Sequence, residues 1–198
     1  MKVNNKFLED VQNYCQGAIL GYADLTKAKE EVEQLLVGRS NHYEFLYEVV
    51  KRLQPKTILE LGTHLGVATL YMAKASPNTK IYTIDNNFAK VPDIAKYAKG
   101  LLNVEFILGD VLDNNIVNKI PNNLDIIFAD TEKDPDFLTK QLNLYYTKLK
   151  EGGFMFFDDI VSNVHYVQGK KWWNELEGYN QMDLPLIHKD YEMGVIIR

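Results

Sequence analysis

Acidic and glycine residues close each short apolar run that follows Pro55 in this 198-residue chain, and their types and spacing are those of a ligand site. The first group is Glu60-Leu61-Gly62-Thr63-His64-Leu65-Gly66. Gly62 suits a tight turn, and the amides that follow it suit a small anionic group at a helix start. A pyrophosphate needs closer backbone approach, and His64 stands where the G-x-G-x-x-G pattern would place its middle glycine. A nicotinamide dinucleotide therefore fits poorly, and an oxidoreductase is the weaker reading. Asp85 follows Gly62 by 23 positions, a distance at which a carboxylate can accept from both hydroxyls of a ribose. Gly109 and Asp110 make a further turn. Each group taken alone also reads as packing or as a cap, and it is the combination that points to a nucleoside-bearing ligand.

These residues need a scaffold that gathers them. The runs TILEL (57–61), KIYTID (80–85), VEFIL (104–108), LDIIFAD (124–130) and GFMFFDD (153–159) are apolar throughout, without alternation. Such strands are buried on both faces, as in a parallel sheet with helices on each side. Helical spacing of Phe45, Leu46, Val49, Val50 and Leu53 predicts a helix before the first run, with Asn41 and Glu44 as a capping box and Pro55 as its stop. Between the last two runs, Asp134 and Pro135 start a helix whose buried stripe is Leu138, Leu142, Tyr145 and Leu149, and which Gly152 and Gly153 end. LPLIHKD and GVIIR, too close for a helical crossover, are expected to pair as an antiparallel hairpin. The expectation is a doubly wound, Rossmann-like α/β fold: a mostly parallel seven-stranded sheet with N-terminal helices and a C-terminal hairpin. One domain is expected over 1–198, with a helical cap over 1–55, a cofactor-binding core over 56–198, and a lid near 160–178 anchored by Trp172 and Trp173.

Composition narrows the partners. Twenty-two basic against 27 acidic residues give a net charge of −5, the wrong sign for binding phosphate backbones, so no nucleic acid is expected. There is no apolar run long enough for a membrane span, no secretory leader, and a single cysteine, Cys15, so a cytoplasmic protein acting on a small molecule is expected. Oligomeric state is not readable.

Through ILELGTHLG, IYTID, ILGD, LDIIFAD and KEGGFMFFDDI the chain resembles the class I S-adenosylmethionine-dependent methyltransferases, and within them the catechol O-methyltransferase-like small-molecule O-methyltransferases. The resemblance runs from about residue 41 to the end. It implies S-adenosyl-L-methionine as cofactor, with Glu60, Gly62, Thr63 and Gly66 around the methionyl part, Asp85 and Asn86 at the ribose, Gly109, Asp110 and Val111 at the adenine, and Asp130 beside it. In those enzymes an Asp ends the fourth strand, a Lys follows three positions later, and an Asp-Asn pair ends the fifth. Here the positions read Asp130, Lys133, Asp158 and Asp159, so the Asn is replaced by a third carboxylate. Asp130 and Asp158 lie 28 positions apart, yet adjacent strand ends bring them together. Three converging carboxylates repel unless protonated or neutralised, and hard oxygen ligands of this kind suit Mg²⁺ or Ca²⁺, of which Mg²⁺ is the expected one. The same acids also read as caps of the following helices in a metal-independent enzyme. Lys133, with its pKa lowered, is a candidate general base, Asp130 its partner, and His165 the candidate histidine for substrate contact. A noncatalytic nucleotide- or partner-binding module on the same fold is the alternative of a different class.

Overall fold

A computed structural model describes residues 40–87, 101–161, 166–184 and 192–198. Helix α1 (Ser40–Leu53) buries Phe45, Leu46, Val49 and Val50 completely, the face that the helical spacing predicts. Lys51 and Arg52 in its last turn reach back to Glu48, at 3.3 and 3.4 Å, and complement the negative end of the helix. Pro55 disfavours helical backbone at Gln54, which turns to φ 47° and ends the helix. The described helix already includes Asn41, so the expected capping box does not mark its start.

Seven strands follow: β1 (Thr57–Leu61), β2 (Lys80–Asp85), β3 (Val104–Leu108), β4 (Leu124–Ala129), β5 (Leu149–Phe157), β6 (Asn180–Leu184) and β7 (Met193–Ile197). They form one sheet in the order β3-β2-β1-β4-β5-β7-β6. The first five are parallel, and β7 is antiparallel to both β5 and β6. The chain reverses its direction of travel across the sheet between β1 and β4, and a crevice at the carboxyl ends of those strands is the consequence. Among the described residues, the intervening helices are α2 (Val67–Ala75), the short α3 (Asn114–Val117), α4 (Pro135–Tyr146) and α5 (Val167–Glu175).

Strand β5 shows why these runs lack polar alternation. Phe154 and Phe156 join the cluster with α1 and α2 on one face, while Met155 and Phe157 join the cluster with α4, Trp172 and Trp173 on the other. Both faces are dry from Gly153 to Phe157, so every position there is apolar. Trp172 and Trp173 are buried as expected, and their indole N–H groups donate to Thr139 and Asp183 at 2.9 and 2.8 Å.

Two expectations are corrected. Leu149, Gly152 and Gly153 belong to β5, not to the preceding helix, which ends at Tyr146; Leu149 pairs with Leu124 before a register shift at the start of the strand. The apolar spacing of Leu149 continued the helical stripe by coincidence, because the two elements abut. The hairpin exists, but its first strand is the polar segment Asn180–Leu184, and most of LPLIHKD lies outside the described residues. An edge strand with one partner can carry polar residues, so hydrophobicity did not mark it.

Candidate active site

Four strand ends meet at the crevice. Beyond the regular ladder, Gly62 donates to the Ile84 carbonyl (2.9 Å), Asp130 to that of Leu61 (2.9 Å) and Asp158 to that of Ala129 (3.0 Å). These three bonds place the ends of β1, β2, β4 and β5 side by side, and with them the acids they carry.

At β1, Glu60 is fully buried and its Oε2 accepts from the hydroxyls of Thr69 and, at 2.5 Å, Thr83. Thr63 continues the chain of hydroxyls, its Oγ1 standing 2.5 Å from that of Thr83. Oε1 has no hydrogen-bond partner among the described residues. Burial pushes the carboxyl up to about 7 against the lowering effect of the two threonines, with Asp130 and Asp85 adding repulsion. Gly62 adopts φ +92°, and a Cβ there would sit 2.0 Å from the Asp130 carbonyl oxygen. The glycine is needed for the close approach of β1 to β4. Gly62 also lines two adjoining cavities, so the strand contact and a ligand role are compatible.

Asp85 at β2 accepts from the backbone N–H of His64 (2.7 Å) and of Asn87 (2.8 Å), one on each oxygen. A carboxylate oxygen has a second lone pair, so both can still accept from a diol. His64, exposed and at φ 47°, makes the turn that presents its amide to Asp85. Gly66 precedes α2 in a left-handed conformation and accepts from Leu70 at 3.0 Å. After β3, Asp110 accepts from the Leu112 amide at 2.8 Å, and the buried Tyr145 hydroxyl donates to the Val111 carbonyl, also at 2.8 Å. Gly62, Asp85, Asn86, Gly109, Asp110, Val111 and Asp130 line one cavity of about 270 Å³, with Thr131, Glu132 and Phe137. A smaller cavity, which includes Glu60, Thr63 and His64, adjoins it at Gly62 and Asp130.

The acceptor end carries the second group. Carboxylate oxygens of Asp130, Asp158 and Asp159 lie within 4.8 Å of one another. Asp159 adopts φ +54°, a left-handed conformation that Asn and Asp take more readily than other side chains, so the exchange of Asn for Asp keeps the backbone and adds a charge. Lys133, almost fully buried, donates from Nζ to Asp130 Oδ1 at 3.2 Å and to the Thr131 carbonyl at 2.8 Å, and lies 5.9 Å from the Tyr166 ring. The expectation of a lowered lysine pKa is reversed. Burial does pull it down, but the charges of Asp130, Asp158 and Asp159 outweigh burial and raise it. Gly169 of α5 packs on Lys133, where a Cβ would come within 3.1 Å of the lysine Cβ.

His165 lies outside the described residues. Among the described residues, His42 of α1 stands beside these carboxylates, with Nε2 3.8 Å from Asp158 Oδ2 and both side chains buried. The sequence does not single it out, because nothing in its spacing ties α1 to the end of β5. Thr69 and Thr83, which hold Glu60, were also missed; two threonines in separate apolar runs give no local signal.

The sequence profile of the family described as a methyltransferase domain matches residues 59–160, more than half of the chain. The chain belongs to the class I S-adenosylmethionine-dependent methyltransferases. A catechol O-methyltransferase of Niastella koreensis is 28% identical to this methyltransferase over 199 residues, covering 90% of this chain and 89% of that one. An S-adenosylhomocysteine-bound methyltransferase of Podospora anserina has the same fold, with a TM-score of 0.73 at 18% identity over 99% of this chain and 97% of that one. So does an O-methyltransferase of Bacillus cereus, also solved with S-adenosylhomocysteine: TM-score 0.69 and 19% identity over 96% of this chain and all of that one.

Proposed function

We propose that this methyltransferase transfers a methyl group from S-adenosylmethionine to a hydroxyl of a small molecule, with a divalent cation of the Mg²⁺ type at the acceptor carboxylates. The observation that carries the reading is that Asp130 belongs both to the cofactor cavity and to the cluster with Asp158 and Asp159. The name of the Niastella relative, a catechol O-methyltransferase, supports the same acceptor chemistry.

The residues present fit both groups. The unpartnered Oε1 of Glu60, beside a cavity, suits the ammonium of a methionyl moiety, and the Asp85 carboxylate suits the ribose diol. Three oxygen donors at two adjacent strand ends suit a hard cation, which, when bound, would orient the acceptor hydroxyl and favour its ionised form.

Methyl transfer is an in-line displacement: the acceptor oxygen forms a bond to the methyl carbon as the carbon–sulfur bond breaks, and the electron pair stays on sulfur. Most of the rate comes from alignment. The cavity residues fix the sulfonium, and the β4 and β5 ends fix the acceptor. Lys133, held charged by its neighbours, is a cation at the place where the acceptor oxygen gains negative charge. In its protonated form it does not take the acceptor's proton, which passes to water at the site as the hydroxyl ionises.

The test is a calorimetric titration with S-adenosylhomocysteine, paired with transfer assays on small phenolic acceptors with and without Mg²⁺. We expect binding of S-adenosylhomocysteine, a rate that rises with Mg²⁺, and loss of that dependence in Asp158→Asn with cofactor affinity nearly unchanged. Absence of S-adenosylhomocysteine binding would overturn the reading, while full activity in excess chelator would remove the cation alone.

A further inference from the structure

The three carboxylates stand in different surroundings. Asp130 is held by Lys133 at 3.2 Å, and Asp159 is fixed at its backbone by the left-handed turn at φ +54°. Asp158, 3% exposed, faces His42.

The placement of His42 is not a by-product of surface geometry. Helix α1 is pinned to the sheet by Phe45, Leu46, Val49 and Val50, all fully buried, and the Tyr43 ring lies 3.9 Å from the imidazole, tilted across it. The side chains of His42 and Asp158 are each 4% exposed, with Nε2 and Oδ2 3.8 Å apart. Burying an imidazole costs free energy that an apolar residue at the same place would not, so packing alone does not account for a histidine there.

We propose that His42 is a positioning residue for the cation site: its Nε2–H, directed at Oδ2, fixes the plane of the Asp158 carboxylate and hence the direction in which it meets the ion. The proposal rests on the reading that Asp130, Asp158 and Asp159 hold a divalent cation. The gap of 3.8 Å is about 1 Å longer than an N–H···O hydrogen bond, and the broad terminal torsion of an aspartate lets the carboxylate turn to close it. An imidazole donates such a bond without needing a net charge, so it orients the ligand without repelling an incoming cation as a second lysine would. Partners that hold metal ligands from behind typically contribute about 10–100-fold to metal affinity.

The experiment uses the full chain saturated with S-adenosylhomocysteine and Mn²⁺ as probe, with free Mn²⁺ followed by electron paramagnetic resonance and total binding by calorimetry. His42→Leu removes the donor, and we expect Mn²⁺ affinity to fall about 10–100-fold with S-adenosylhomocysteine affinity unchanged. His42→Gln keeps an N–H near the place of Nε2, and its Mn²⁺ affinity should stay close to that of the wild type. Should His42→Leu not fold, His42→Asn takes its place, because its shorter amide does not reach Oδ2. Equal Mn²⁺ affinity in wild type and the donor-less variant would overturn the proposal, as would equal losses in the Gln and Leu variants. A wild-type protein that binds S-adenosylhomocysteine but no Mn²⁺ would remove the cation reading and this proposal together, leaving the methyltransferase standing.

Discussion

At the cofactor end of the cleft the carboxylates of Asp85 and Asp110 are held by backbone N–H groups a few residues away or on the neighbouring turn; at the acceptor end, Asp130 and Asp158 face side chains. The first arrangement fixes these two acids with backbone at the strand ends, while Glu60 beside them also takes the hydroxyl of Thr69 from α2. The second couples it to elements that come from elsewhere: His42 from α1, and Lys133 under Gly169 of α5. A cofactor common to a family can be bound by strand ends alone, whereas the acceptor site depends on the helices around it. Changes at the cofactor end should therefore register as stability and cofactor affinity together, and changes at the acceptor end as cation or acceptor binding with the fold intact.

The largest effect is expected at the seam of the two ends. Gly62→Val would place a Cβ 2.0 Å from the Asp130 carbonyl oxygen at φ +92°, where neither the neighbouring backbone nor the valine can yield. We expect loss of cooperative unfolding or a destabilisation above about 4 kcal/mol, measured by urea denaturation followed by circular dichroism. A well-folded variant that loses only S-adenosylhomocysteine binding would break the account, since the glycine would then serve the ligand and not the strand contact.

Glu60 gives the next largest effect, one that depends on pH. Its native carboxyl titrates at about 7 against an ordinary value of 4.5, so between those values the native state keeps a proton that the unfolded state has released. Stability contributed below pH 4.5 is lost as pH rises toward 7 and is level above it, by at most about 3 kcal/mol. Glu60→Gln cannot titrate, so the difference in urea unfolding free energy between variant and wild type should shift in the variant's favour from pH 5 to pH 8. Parallel pH profiles for the two proteins would show that Glu60 is ionised throughout.

The sheet was legible in the sequence because the buried central strands are rich in apolar residues, as in TILEL and LDIIFA, and TILEL, KIYTID and VEFIL are β1, β2 and β3 residue for residue, although β3 is a half-exposed edge strand. The polar edge strand Asn180–Leu184 was not, since its burial demands no such pattern. The cofactor end was legible for a related reason. Its groups sit at strand ends, and strand ends can be counted. The acceptor end was legible only where it also lies at strand ends, at Asp130, Asp158 and Asp159. The contribution of α1 depends on the angle at which a helix packs, and a charge balance among three acids and a lysine decides the sense of the Lys133 shift. Neither is written in local spacing.

The smallest expected effect sharpens the comparison at the adenine end. The Tyr145 hydroxyl donates to the Val111 carbonyl at 2.8 Å across 34 residues, tying α4 to the turn after β3, and burial pushes its pKa up, so the group stays a donor at every working pH. Tyr145→Phe keeps the ring in its packing and leaves a buried carbonyl without that donor, which should cost about 1–2 kcal/mol of stability. If the cofactor end is fixed by strands and short local caps, the loosened carbonyl matters little to the ligand, because the Asp110 cap on Leu112 survives the change. Affinity for S-adenosylhomocysteine should then fall less than about tenfold, which is 1.4 kcal/mol. A larger loss of affinity with no loss of stability would mean that α4 positions the adenine turn from outside, as α1 positions Asp158, and the contrast between the two ends would narrow to a difference of degree.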